Sequence, residues 1–107
     1  MTDFKDRQRS EEAKYAMDAD TAFRVTARRD RLLGRWAAEK MNLSEEEAEV
    51  YAKSVIQANF EEAGDEDVIR KLLGDLTAAG VEIDEAGVRA ALEEMAVEAR
   101  RQLIDKV

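Results

Sequence analysis

The chain has 107 residues, 25 acidic against 17 basic side chains, a formal net charge of −8, and no Cys, His or Pro. Without Cys or His there is no disulfide framework, no Cys-ligated metal and no Ser-His or Cys-His nucleophile, and the acidic balance argues against general affinity for nucleic acid or an anionic membrane. The length suits one domain, and the abundance of Ala, Leu, Glu, Lys and Arg reads as helix almost throughout.

The opening "MTDFKDRQRS" has no apolar run behind a basic end, so no secretory signal is expected, and no later run reaches the length of a membrane span. A cytoplasmic protein without direct membrane insertion is the expectation. The stretch "FKDRQRSEEAKYAMD", residues 4–18, has helix-forming composition, but its only sizeable apolar residues are Phe4, Tyr15 and Met17. It has too little apolar surface to dock itself onto a core. Two readings stay open on the residues alone: a solubilising tail, or a segment that folds on a partner with Phe4 and Tyr15 as anchors.

From about Asp18 to Met41 the spacing predicts a first amphipathic helix, with Ala22, Val25, Leu32, Leu33, Trp36, Ala37 and Met41 on one apolar arc. Trp36 is expected to pack in the core. Arg29 falls inside that arc, which calls for snorkelling at the rim or an acid from a neighbouring helix. Arg24, Arg28, Arg31 and Arg35 recur at i, i+4, i+7 and i+11 and share a narrow stripe. A row of guanidiniums suits a phosphate-bearing ligand or an acidic surface, because each offers a bidentate fork. The plainer reading is a solvated basic face.

Ser44 and Glu47 form a capping-box pattern at the start of a second helix, with Leu43 and Ala48 placed as a hydrophobic staple. Ala48, Tyr51, Ala52, Val55, Ile56 and Phe60 make its stripe. Gly64 breaks that helix and Asp65 is the expected N-cap of a third, whose stripe is Val68, Ile69, Leu72, Leu73 and Leu76. Gly80 is placed as a C′ glycine with Val81 reaching Leu76, a Schellman pattern. Asp84 caps a fourth helix with the stripe Val88, Ala91, Leu92, Met95, Ala99 and Leu103. Gly34, Gly74 and Gly87 sit inside helical patterns and read as points of close helix approach. Four stripes with short joints predict an all-α, antiparallel four-helix bundle.

The acidic runs "SEEEAE" and "EEAGDED" read as helix caps; they lack the ligand spacing of a calcium loop, and no metal site is expected. No glycine-rich phosphate loop and no catalytic residue is present, so the chain is not expected to be an enzyme.

Several stretches together resemble one family, the zeta subunit, an ATPase inhibitor of alphaproteobacterial F-type ATP synthases. They are Phe4, Asp6 and Arg7; Lys14-Tyr15-Ala16 and Asp18; Phe23; "ARR" at 27–29; "LLG" at 32–34; "WAAE" at 36–39; "FEEAGDEDV" at 60–68; and Arg70-Lys71. Two positions depart from the family pattern: Ala63 stands where a Pro is usual in the turn, and Glu11 where the inhibitory stretch has a ring-bearing residue. The resemblance implies a bundle, residues 19–107, carrying a flexible N-terminal inhibitory segment, residues 1–18. Phe4, Asp6, Arg7, Arg9, Lys14 and Tyr15 are the contact candidates in that segment. It implies that the segment wedges into a catalytic interface of the enzyme's head and blocks ATP hydrolysis, so the protein would sit at the inner membrane only through the synthase. No cofactor is required, but the family is associated with ADP/ATP, for which the arginine stripe (Arg24, Arg28, Arg31, Arg35) is the candidate site. The rival readings are a helical adaptor whose bundle surface binds the partner, and a nucleotide-sensing module.

Overall fold

The computed structural model describes the backbone of residues 2–61 and 64–104, and the side chains of residues 20–59 and 64–104. The helices are α1 (Thr2–Lys40), α2 (Glu45–Glu61), α3 (Glu66–Ala78) and α4 (Glu85–Leu103). There is no strand among the described residues. The expected helical bundle is what forms, and α1 touches all three other helices. Arg31 meets Glu49 and Arg35 meets Glu45, so numbers rise along α1 as they fall along α2.

The first helix is longer than its apolar arc predicts. It runs 39 residues without a break, about 58 Å at 1.5 Å per residue. No change of secondary structure marks Asp18, where the sequence reading divides segment from bundle.

The helix ends follow local chemistry. Asn42, at φ 58°, stands in the left-handed position after α1; its N–H donates to the Glu39 carbonyl and that of Leu43 to Ala38. This is a Schellman closure with Asn in place of Gly. Ser44 and Glu47 form the expected capping box: Glu47 Oε1 accepts from the Ser44 N–H at 2.9 Å, and Ser44 Oγ from the Glu47 N–H at 3.2 Å. Those bonds hold the Glu47 carboxyl below its ordinary pKa. Gly80, at φ 83°, closes α3, with its own N–H on the Thr77 carbonyl and the Val81 N–H on Leu76. Asp84 Oδ1 caps α4 by accepting from the Gly87 N–H at 2.9 Å.

The core is Leu33 and Ala37 from α1, Val55 from α2, Val68, Ile69, Leu72 and Leu76 from α3, and Val88, Ala91 and Leu92 from α4. The stripes of α3 and α4 match expectation, with Leu73 and Met95 packing against the core from partly buried positions. Trp36 also stays only partly buried, and Lys40 Nζ lies 5.2 Å from its ring centroid. Ala22, expected on the apolar arc, is exposed, whereas Val25, three residues on, is buried. Tyr51 ties α2 to α3: its hydroxyl donates to Asp75 Oδ2 at 2.7 Å, and burial followed by that carboxylate raises the phenol pKa.

The three helical glycines have three different surroundings. A Cβ on Gly34 would stand 2.7 Å from the Ala52 Cα, so here α1 and α2 do approach backbone to backbone. A Cβ on Gly87 would meet Ile83 and the capping Asp84, which is crowding within its own first turn. Around Gly74 there is open space within 4 Å, so the expected close approach is absent there.

The largest difference from expectation concerns Asp65. It occupies the N-cap position of α3 at φ −88° and ψ −11° but makes no side-chain cap hydrogen bond. Its Oδ1 instead receives Arg29 Nη2 at 2.9 Å. Arg29, 7 % exposed, also places Nε and Nη2 on Asp30 Oδ1 at 2.9 and 2.7 Å, and Asp30 is only 1 % exposed. Burial is the main influence on Asp30 and raises its pKa from 3.8, with Arg29 pulling it back.

Removing the guanidinium by Arg29→Met strands a buried carboxylate and is expected to cost about 3–5 kcal/mol at neutral pH. In that variant the folded-state pKa of Asp30 rises further above its unfolded value. The deficit therefore shrinks as acidification protonates Asp30 and returns as pH rises. Urea unfolding at neutral and mildly acidic pH checks this; an equal deficit at both would refute it. Gly34→Ala should destabilise by about 1–3 kcal/mol through overpacking, whereas Gly74→Ala should stabilise by up to about 1 kcal/mol. Thermal melts of the two variants should move in opposite directions, by roughly 4–8 °C per kcal/mol.

Candidate functional site

The arginine stripe does not face open solvent as a continuous row: Arg28, Arg31 and Arg35 reach partners on α4 or α2, and Arg24 does not. Arg24, 72 % exposed at its side chain, approaches Asp20 at 3.7 Å. Arg28 Nη1 donates to Gln102 Oε1 on α4 at 2.9 Å. Arg31 Nη2 donates to Glu49 Oε1 on α2 at 3.0 Å. Arg35 donates to Glu45 Oε2 at 2.8 Å and also to Glu49. The hydrogen bond from Arg31 heads the influences holding the Glu49 carboxyl below its ordinary pKa, and Glu45 raises that of Arg35.

These partners divide the stripe. Arg31 and Arg35 have carboxylates beside them, so much of their field is cancelled locally. Arg28 is oriented by a neutral amide and keeps its charge, and the exposed, weakly held Arg24 keeps most of its own. Phe23, Arg24, Ala27, Arg28, Arg31, Ile56 and Leu103 line one groove of about 330 Å³. Arg35 belongs to a separate cleft of about 590 Å³, whose apolar walls include Leu32, Trp36, Leu43 and Met95. Three of the four predicted arginines thus line one groove, and Arg35 lines the other cleft, joined to Arg31 through Glu49.

Chemically, the groove offers guanidinium donors beside an aromatic and aliphatic wall, which suits an anion attached to an apolar or planar body. The sequence reading of the stripe omitted Phe23, Ile56 and Leu103. Phe23 directly precedes Arg24, and that adjacency was the available signal. Ile56 and Leu103 had none, since each belongs to the core stripe of its own helix. Among the described residues, no group of three or more acidic side chains is placed to hold a metal ion, and no helix is long and apolar enough to cross a membrane. Phe4, Asp6, Arg7, Arg9, Lys14 and Tyr15 have side chains outside the described residues.

Comparison with known proteins gives a consistent answer. The family model described as ATPase inhibitor subunit zeta matches residues 1–102. A structure solved in solution by NMR is 47% identical, with a TM-score of 0.68, over 79% of this chain and 96% of that one. No match was found among curated proteins. With its helical bundle and a family match over nearly the whole sequence, this chain belongs to the ATPase inhibitor subunit zeta family.

Proposed function

We propose that the protein is a regulatory, non-catalytic subunit that inhibits ATP hydrolysis by the F-type ATP synthase, with residues 1–18 as the inhibitory segment. One observation carries this reading beyond family membership: α1 has 39 residues against 17, 13 and 19 in its partners, and residues 4–18 offer only Phe4, Tyr15 and Met17 as sizeable apolar side chains. The N-terminal part of α1 is thus a helical stretch whose composition cannot build a core of its own. A helix of that kind finds its burial on another protein.

In the proposed mechanism this helix enters a catalytic interface of the enzyme's head and holds the flanking subunits in one arrangement. The closure and opening that each turnover requires are then blocked. Phe4 and Tyr15 supply buried anchors, and Asp6, Arg7, Arg9 and Lys14 supply the polar rim that sets register. Association with the synthase is what places the protein at the membrane. The groove formed by Arg24, Arg28 and Arg31 is the proposed site for the phosphates of ADP or ATP, with Arg35 beside it on the shared partner Glu49.

Deleting residues 1–18 should leave a helical bundle that melts cooperatively but no longer inhibits ATP hydrolysis by the cognate enzyme. Circular dichroism and a hydrolysis assay with full-length and truncated protein decide this. A truncated bundle as inhibitory as the full chain would sink the wedge and favour an adaptor acting through the bundle surface.

A further inference from the structure

The outer face of α4 carries a pattern of its own. Ala90, Val97 and Ile104 recur at intervals of seven residues and are exposed, Val97 to 69 % and Ile104 to 49 %. The opposite side of the helix is the one buried, through Val88, Ala91, Leu92 and Ala99. Glu93 and Glu94 precede Val97, Arg100 and Arg101 follow it, and all four are exposed. At about 100° per residue, Glu93 and Arg100 share one flank of the apolar row, and Glu94 and Arg101 share the other.

The chain makes little use of these charges itself. Among the described residues, the side chains of Glu93, Glu94 and Arg100 enter no hydrogen bond or ion pair. Arg101 donates from Nε to Glu98 Oε2 at 2.7 Å and still keeps its side chain 65 % exposed. Two acids and two bases leave this face neutral in a chain of net charge −8, so the repulsion between two copies is least here.

The order of the charges is self-complementary in one direction only. When two copies of α4 run antiparallel with Val97 on the two-fold axis, Arg100 and Glu93 of the second copy fall on the same flank, offset by one residue, about 1.5 Å along the axis. Arg101 and Glu94 of the second copy do the same on the other flank, and Ala90 faces Ile104. A parallel pairing instead sets Arg100 beside Arg101 and Glu93 beside Glu94, like charge against like.

We propose that the outer face of α4 is a self-association surface whose partner is a second copy of this chain, docked antiparallel with four interchain ion pairs around Val97. The side of α4 on which α1 packs and Gln102 meets Arg28 lies outside the contact, so the proposal is independent of the inhibitory segment and of the arginine groove. The apolar row is short and exposed ion pairs are weak, so the dimer is a transient one, smaller than a permanent interface.

The test is sedimentation equilibrium of the full-length protein at low ionic strength. The mean mass is expected to rise from monomer towards dimer with a Kd of about 0.1–1 mM, and added salt should weaken the association by screening the pairs. Arg100→Glu sets acid against Glu93, and Glu93→Arg sets base against Arg100; each variant alone should associate at least about tenfold more weakly than the wild type. An equimolar mixture of the two should recover wild-type association, because each then offers the charge that the other lacks at both contacts, and recovery also shows that both are folded. Val97→Lys should abolish association, whereas Val50→Lys, the same charge change at an equally exposed position on α2, should leave it unchanged. A wild-type mass that stays monomeric up to about 1 mM, a mixture no better than either variant alone, or a dimer dissolved by Val50→Lys and not by Val97→Lys overturns the proposal.

Discussion

A single guanidinium sets the geometry of the bundle. Arg29 sits at the centre of the inward face of α1, where an unpaired charge would cost several kcal/mol, and the fold is compelled to bring acids to it. Asp30 answers from the next residue and Asp65 from the head of α3. That pairing fixes the start of α3 against α1. The cluster has a consequence for α3. Asp65 cannot both cap the helix and reach Arg29, so α3 begins without a side-chain cap, a loss of about 1 kcal/mol. Glu66 and Asp67 in its first turn offset part of this by their charge at the positive end of the helix dipole.

What could be read from the sequence was local. The capping box at Ser44 and Glu47, the Schellman turn at Gly80 and Val81 and the cap at Asp84 depend on residues within one turn, and all stand as the pattern predicts. The buried stripes of α3 and α4 were legible for the same reason: each has one inner face. Asp65 was misread because its competing partner lies 36 positions earlier in the chain, and no local pattern reveals a rival for a cap. Asp30 went unremarked because an acid inside "ARRDRLL" looks like surface charge; only the packing of α2 and α3 over it makes it a core residue. The glycines teach a similar lesson. Gly34 and Gly74 are equivalent by pattern, and only the position of Ala52 distinguishes a required glycine from a tolerated one.

The arginine stripe was visible as a stripe, but its surroundings were not. A helical wheel separates apolar from charged positions and implies that charge faces water. In α1, three of the four stripe arginines come within reach of Glu45, Glu49 and Gln102 on the neighbouring helices. Two functions then compete for the same guanidiniums. Arg31 and Arg35, held by Glu45 and Glu49, fasten α1 to α2, whereas Arg28 meets a neutral amide and Arg24 only an exposed Asp20 on its own helix. The candidate site is accordingly placed towards Arg24 and Arg28, a distinction among four identical residues that spacing alone cannot draw.

The continuity of α1 bears on how a wedge of this kind can act at all. An isolated stretch of fifteen or so residues makes a poor helix in water, because the first turn fixes several dihedrals for one hydrogen bond, with a nucleation constant on the order of 10⁻³. A segment joined to a helix that the bundle already holds does not face that step. Each residue added towards the N-terminus gains one backbone hydrogen bond for one residue ordered, so propagation is close to balanced before any partner is met. Any contact energy that the proposed anchors Phe4 and Tyr15 gain on a partner would then not be spent on nucleating the helix. In the proposed mechanism the bundle serves as the nucleus from which the inhibitory helix extends. Its own core need only be stable enough to keep α1 helical from Val25 onward, and the burial of Leu33, Ala37 and Ala38 against the other helices meets that requirement.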